Sequence, residues 1–292
     1  MAWLRRPKVA WSAVTDELEQ AGSVTTALAA SSGAGQPSLF EDPSGDDVAA
    51  AAEDLQRWAR AGVRMVTVLD ERYPSNLRMI HQRPSVLFIR GGDDDRDEMS
   101  VAVVGTRHPT ARGVEQASTL AAGLAGRGIP VVSGLAAGID TAAHRAALAG
   151  GGRTIAVIGT GIDRVYPPQN ADLQEEIATR GMVVSQFLPG SAPSKISFPM
   201  RNAVMSGYAL ATVVIEAAYR SGARMQARLA LQHGRHVFLM RSLLEHDWAR
   251  NYAQRPGGER GGRRPGRVRR PAPVGRRIGR ADLGLTSGGD GQ

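Results

Sequence analysis

Short apolar runs ending in glycine or small polar residues recur from residue 100 onward: SVAVVG, PVVSG, TIAVIG, MVVSQ, TVVIEA and HVFLM. Val, Ile and Ala fill them with little polar alternation, as in parallel strands covered on both faces. The stretches between them carry helical periodicity. Within 112–127, Ala117, Leu120, Ala121 and Leu124 fall at i, i+3, i+4 and i+7 and share one face. Strands alternating with helices predict an α/β fold: an extended Rossmann-like parallel or mixed sheet.

Upstream the pattern differs. Residues 9–30 and 47–61 read as short helices, with Leu18, Val24, Leu28, Leu55 and Trp58 as inward positions. SSGAGQPSLFEDPSGDD between them is a loop by its Gly, Pro, Ser and Asp content. MVTVLD predicts a short strand, RYPSNLRMIHQRPSVLFIRGG follows, and the acidic GGDDDRDE reads as a domain boundary. After Pro256 large apolar residues are too few to build a core. The expected organisation is a small helical N-terminal domain with its linker (1–92), a Rossmann-like domain (98–257) and a disordered, basic Arg/Gly-rich tail (258–292).

Charge sharpens this division. The chain carries a net +8, but residues 259–292 hold nine Arg against Glu259, Asp282 and Asp290, a net +6, which leaves +2 for the rest. Bulk charge therefore argues weakly for nucleic acid outside the tail. The tail itself suits either non-specific phosphate contact or plain solvation. The absence of cysteine excludes disulfides, thiolate zinc sites and cysteine nucleophiles. No apolar stretch approaches the ~20 residues that span a bilayer, and the start lacks a signal-peptide pattern, so a cytoplasmic protein with no membrane partner is expected.

The candidate chemistry sits in the turns that follow the strands. VVGTRHP, VVSGLAAGID and VIGTGIDRVYPP are glycine-rich, and in a parallel sheet such strand ends gather ligands. Glycines allow close backbone approach and helix N-termini favour anions, so a phosphate-binding crevice is expected, for a nucleotide or for a DNA backbone. No P-loop is present, and Gly159-Thr-Gly161 lacks the third glycine of a dinucleotide fingerprint. No cofactor and no metal are therefore expected. Arg107, Lys195 and Arg201 supply cations near that crevice, with Phe198 for stacking and Asn202 for a base edge, the set that single-stranded DNA recognition requires. Packing for Phe198, and a salt bridge with a helix cap for Arg201–Asn202, are the structural alternatives. Asp140 and His144, four apart, suit a structural hydrogen bond better than acid–base work. Asp163 and Tyr166 read as loop-stabilising groups. Glu216, ending a strand, is the carboxylate to weigh for catalysis or for holding an arginine.

Taken in order, RYPSNLRMI…RPSVLFIRG, VAVVGTR, VVSGLAAGIDTAAHRAAL, TIAVIGTGIDRVYPPQNADL, FPMRN and VVIEAAYRSGA resemble the DNA-processing protein A (DprA/Smf) family across about residues 72–239. The resemblance implies a Rossmann-like domain that dimerises, binds single-stranded DNA and delivers a RecA-type recombinase onto incoming DNA in natural transformation, with no reaction of its own. DNA contacts would fall on Gly105, Arg107, Ser133, Gly134, Lys195, Phe198, Arg201 and Asn202, and no catalytic residue is implied. Gln186 stands where the family usually carries Glu, and Ala203 where a second Arg is usual. The main rival, a Rossmann-like phosphoribohydrolase, would need a P-G-G-x-G-T-x-x-E motif that this sequence lacks. A degenerate scaffold that no longer binds DNA is the third reading.

Overall fold

The computed structural model describes residues 11–23, 45–255 and 258–260. Val24, Leu28, the 31–44 part of the predicted loop and the tail beyond Arg260 lie outside the described residues. Among the described residues nine strands form one mixed sheet in the order β1-β2-β6-β5-β4-β3-β7-β8-β9. In chain order these are β1 (Val63–Thr67), β2 (Val86–Gly91), β3 (Val101–Val104), β4 (Val131–Ser133), β5 (Thr154–Val157), β6 (Met182–Ser185), β7 (Ala211–Val214), β8 (His236–Leu239) and β9 (Gly258–Arg260). The helices are α1 (Trp11–Ala21), α2 (Gly45–Arg60), α3 (Ser75–Arg78), α4 (Ala111–Ala125), α5 (Ile139–Ala149), α6 (Ala171–Arg180), α7 (Ser197–Tyr208), α8 (Gly222–Gln232) and α9 (Asp247–Ala253). The six apolar runs expected as strands are β3 to β8.

Alternate residues of the central strands face opposite layers, as a pleated sheet requires. Val101, Val103, Val131, Val213 and Ile215 pack with Ala117, Ala121 and Leu124 of α4 and Ala143 and Ala147 of α5. Ala102, Val104, Val132, Val157, Val214 and Val237 pack the other way, with Val204 and Tyr208 of α7, Ala227 of α8 and Trp248 of α9. The sheet is thus covered on both faces, which explains strands without polar alternation. Among the described residues no helix is long and apolar enough to cross a membrane.

The sheet crosses the expected segment edges in two places. The first concerns 1–92. Both β1 and β2 belong to the main sheet: β2 lies antiparallel to β6 with Phe88 opposite Ser185. Ion pairs tie down the acidic stretch beside it, Arg153 Nε to Asp97 Oδ1 at 2.6 Å and Arg64 Nη2 to Asp93 Oδ1 at 2.7 Å. Sheet and charges both cross the segment that the composition marks as a boundary. The second concerns 258–260. These residues, expected to open a disordered tail, form β9 parallel to β8. Edge pairing needs only backbone groups, so it leaves no apolar signature in sequence.

Candidate nucleic-acid interface

β3 is flanked by β4 on one side and β7 on the other, both parallel to it. The chain leaves β3 towards β4, β5 and β6, then returns through α7 to β7 on the opposite side. The order of β5-β4-β3-β7-β8-β9 is that of a doubly wound Rossmann sheet, whose ligand crevice opens at the reversal point beyond the strands' carboxyl ends. The turns after β3, β4, β5 and β7 therefore converge where the glycine-rich motifs were read.

Tight packing explains two of those glycines. Gly138 has φ +82°, and a Cβ there would strike the carbonyls of Thr106 and Arg107, so the turns after β3 and β4 touch through backbone alone. Gly105 has no room for a side chain against Ile139. Leu135 holds φ +56° with its side chain fully buried, a left-handed conformation costly for a branched residue. Its carbonyl accepts from Asn170 Nδ2 at 2.9 Å.

Four predicted site residues point into the protein. Arg201 is 6% exposed, and its Nη1 donates to the carbonyls of Gly134 and Val157, the latter at 2.8 Å. Gly134 also donates its N–H to Asp140 Oδ2 at 3.1 Å, so both of its backbone polar groups are occupied. Ser133 is fully buried and donates to the Val103 carbonyl at 2.7 Å. Asn202 is buried, with Nδ2 3.4 Å from the Gly222 carbonyl. Burial raises the Asp140 carboxyl above its usual range, and the nearby Arg201 charge opposes that rise. Burial likewise works against the Arg201 charge, although Asp140 supports it. Asp140 and His144 do not bond each other: His144 Nδ1 meets Thr154 Oγ1 at 2.7 Å, and burial lowers its pKa to about 3.

The other four residues form or line an outer face. The guanidinium of exposed Arg107 lies over the Phe198 ring, Cζ 5.1 Å from its centroid. Phe198 is half-buried, and a Cβ at Gly159 would crowd its ring at 3.0 Å, so the glycine after β5 seats it. Its ring also meets that of Tyr166, 40% exposed, with centroids 5.7 Å apart and the planes tilted by 45°. Lys195 is exposed three residues before Phe198. That turn is held by paired serines: Ser197 N–H donates to Ser194 Oγ at 3.0 Å, and Ser194 N–H to Ser197 Oγ at 3.1 Å. Gly105, partly exposed, lies two residues before Arg107. The result is a cation over an aromatic pair with a second cation beside it.

Tyr166 is the residue that sequence reasoning missed. Sequence marks it only as loop-stabilising, and only the fold brings its β5–α6 loop against the N-terminus of α7. The remaining candidates are engaged elsewhere. Glu216 Oε2 accepts from the N–H and hydroxyl of Thr110, both at 3.1 Å, at the N-terminus of α4 where negative charge is stabilised. Asp163 accepts from the Gly190 N–H at 2.7 Å, as the loop-stabilising reading requires. Gln186 is buried with Nε2 unpartnered, and Ala203 is buried in α7. Among the described residues no cluster of three or more ligating side chains could hold a metal ion.

Residues 64–253 match the sequence profile of the family described as DNA recombination-mediator protein A. The chain is 43% identical over 172 residues to the DNA processing protein DprA of Streptococcus pneumoniae, covering 59% of this chain and 61% of that one. It is 40% identical over 188 residues to protein Smf of Synechocystis, covering 63% of this chain and 47% of that one. The chain thus spans about half to three fifths of the length of these relatives. Among solved structures, S. pneumoniae DprA superposes with a TM-score of 0.67 at 33% identity, over 81% of this chain and 84% of that chain. DNA processing protein A of Helicobacter pylori, solved for its single-stranded DNA binding mode, gives a TM-score of 0.56 at 30% identity, over 63% and 87%. By profile, sequence and fold together, the chain belongs to the DNA recombination-mediator protein A family.

Proposed function

We propose that this chain binds single-stranded DNA at the crevice beyond the carboxyl ends of β3, β4 and β5, without a chemical step, and passes the strand to a RecA-type recombinase as a cytoplasmic homodimer. The observation that carries the DNA site is the array of exposed Arg107 and Tyr166 around half-buried Phe198, beside exposed Lys195. Aromatic faces stack unpaired bases and cations track phosphates, the combination that sequence-tolerant single-strand binding uses. A duplex hides its base faces and gains only the charge term. The H. pylori relative's single-stranded DNA binding mode supports the same ligand. Family membership supports the mediator role. A binding role is further supported by the carboxylates: Asp140 and Glu216 both hold backbone N–H groups of the scaffold.

Gly105, Ser133, Gly134, Arg201 and Asn202 belong to this proposal as the frame that sets the outer face. The test is fluorescence anisotropy with a labelled single strand. Phe198→Ala is expected to weaken binding on the order of tenfold, given ~1–3 kcal/mol per stacked base. Arg107→Ala is expected to weaken it and to flatten the log–log salt dependence by about 0.7, one phosphate's share for a single strand. Unchanged affinity in both variants would refute the site.

A further inference from the structure

A second group of aromatic and basic side chains lies across the switch point, after β7. Tyr219 is 61% exposed, and the Arg224 guanidinium lies over its ring, Cζ 4.4 Å from the centroid. Arg224 Nη1 also donates to the Tyr219 carbonyl at 3.0 Å, and the Arg224 N–H donates to Ser221 Oγ at 3.2 Å. The loop and the first turn of α8 are thereby locked together. Beneath them Arg224 reaches the buried Trp248 ring, 5.9 Å from its centroid. Arg220 and Arg228 are exposed, and neither has a carboxylate partner among the described residues.

This group adjoins the crevice. Asn202 of α7, the helix that carries Phe198, contacts the Gly222 carbonyl at the start of α8. Glu216, just after β7, is turned to the N–H and hydroxyl of Thr110. The ends of β5 and β7 are three strand spacings apart, roughly 14 Å. A guanidinium covering one face of Tyr219 leaves the other for a base, and exposed Arg220 is the next residue along the chain.

We propose that Tyr219, Arg220 and Arg224 form a second single-stranded-DNA subsite, so that a strand longer than the crevice runs from the Tyr166–Phe198 face across the switch point to Tyr219. The proposal rests on the reading of the crevice as a single-strand site. Its occupant follows from chemistry: clustered, unneutralised guanidinium groups call for a polyanion, and an open aromatic face calls for unpaired bases.

The experiment compares a ~6-nucleotide and a ~20-nucleotide oligothymidylate, by anisotropy on the full chain, for wild type, Arg107→Ala and the double variant Tyr219→Ala/Arg220→Ala. Both residues of the double variant are exposed, so their removal spares the core. Expected is about a tenfold loss for the longer strand, a salt slope lower by about 0.7, and short-strand affinity unchanged within about twofold, while Arg107→Ala weakens both lengths. An unchanged long strand, or equal losses at both lengths, overturns the subsite while the Arg107→Ala result still stands for the crevice. Binding of neither length by wild type overturns both readings.

Discussion

At the scale of single residues, Arg107 and Arg201 carry the same charge and opposite assignments. Arg201 satisfies two buried carbonyls from the ends of β4 and β5. Arg201→Ala would leave both unpaired at ~1–3 kcal/mol each, so a stability loss of about 2–6 kcal/mol is expected in denaturant unfolding. Arg107→Ala is expected to leave stability unchanged and to lower the salt dependence of binding. The reverse pattern would exchange their roles. His144 makes a pH prediction. Its pKa is about 3 folded against 6.5 unfolded, so its contribution is complete above pH 6.5. As pH falls below 6.5 the unfolded chain takes up a proton that the folded protein refuses until about pH 3, and stability drops. The slope approaches 1.4 kcal/mol per pH unit, on the order of 2 kcal/mol by pH 5. His144→Gln should remove that much of the decline between pH 7 and 5; parallel profiles would contradict it. His233, lowered to about 4 by burial and by the neighbouring His81 and Arg235 charges, acts in the same direction and remains in both proteins.

At the scale of elements, the paired serines at the start of α7, Ser194 and Ser197, decide whether Lys195 and Phe198 are presented together. Ser197→Ala removes one half of the reciprocal bonds, and a loss of about 1 kcal/mol is expected, as for a helix cap. Strand affinity should fall several-fold through the released Lys195 turn. A stability loss with full affinity would show that the turn does not serve the site. This helix also shows where sequence reading stops. β3 to β8 were legible because both-face burial writes apolar runs, and their ends located the crevice. The inward turn of Arg201 and Asn202 was not legible, because α7 is buried on nearly every side from Arg201 to Tyr208 and offers no polar stripe to fix its phase. Tyr166 was missed because its partner, Phe198, is distant in sequence and meets it only through the fold. β2 sat inside an unassigned segment, although VLFI is an apolar run, because the acidic stretch after it read as a break.

For the whole molecule, the issue is where the charge acts. Residues 259–292 hold six of the eight net positive charges, and tail arginines attract any phosphate backbone, single or double. The outer face of the crevice carries few cations but adds aromatic rings, so selectivity for single strands belongs to the folded domain and salt-sensitive, non-selective affinity to the tail. Removing 261–292 should therefore lower duplex affinity more than single-strand affinity. The most direct measurement is anisotropy of a labelled single strand and its duplex across a salt series, for the full chain and for one lacking 261–292. Single-strand preference is expected to survive truncation while the salt slope becomes shallower. Preference that disappears with the tail would contradict a DNA site on the Rossmann-like domain.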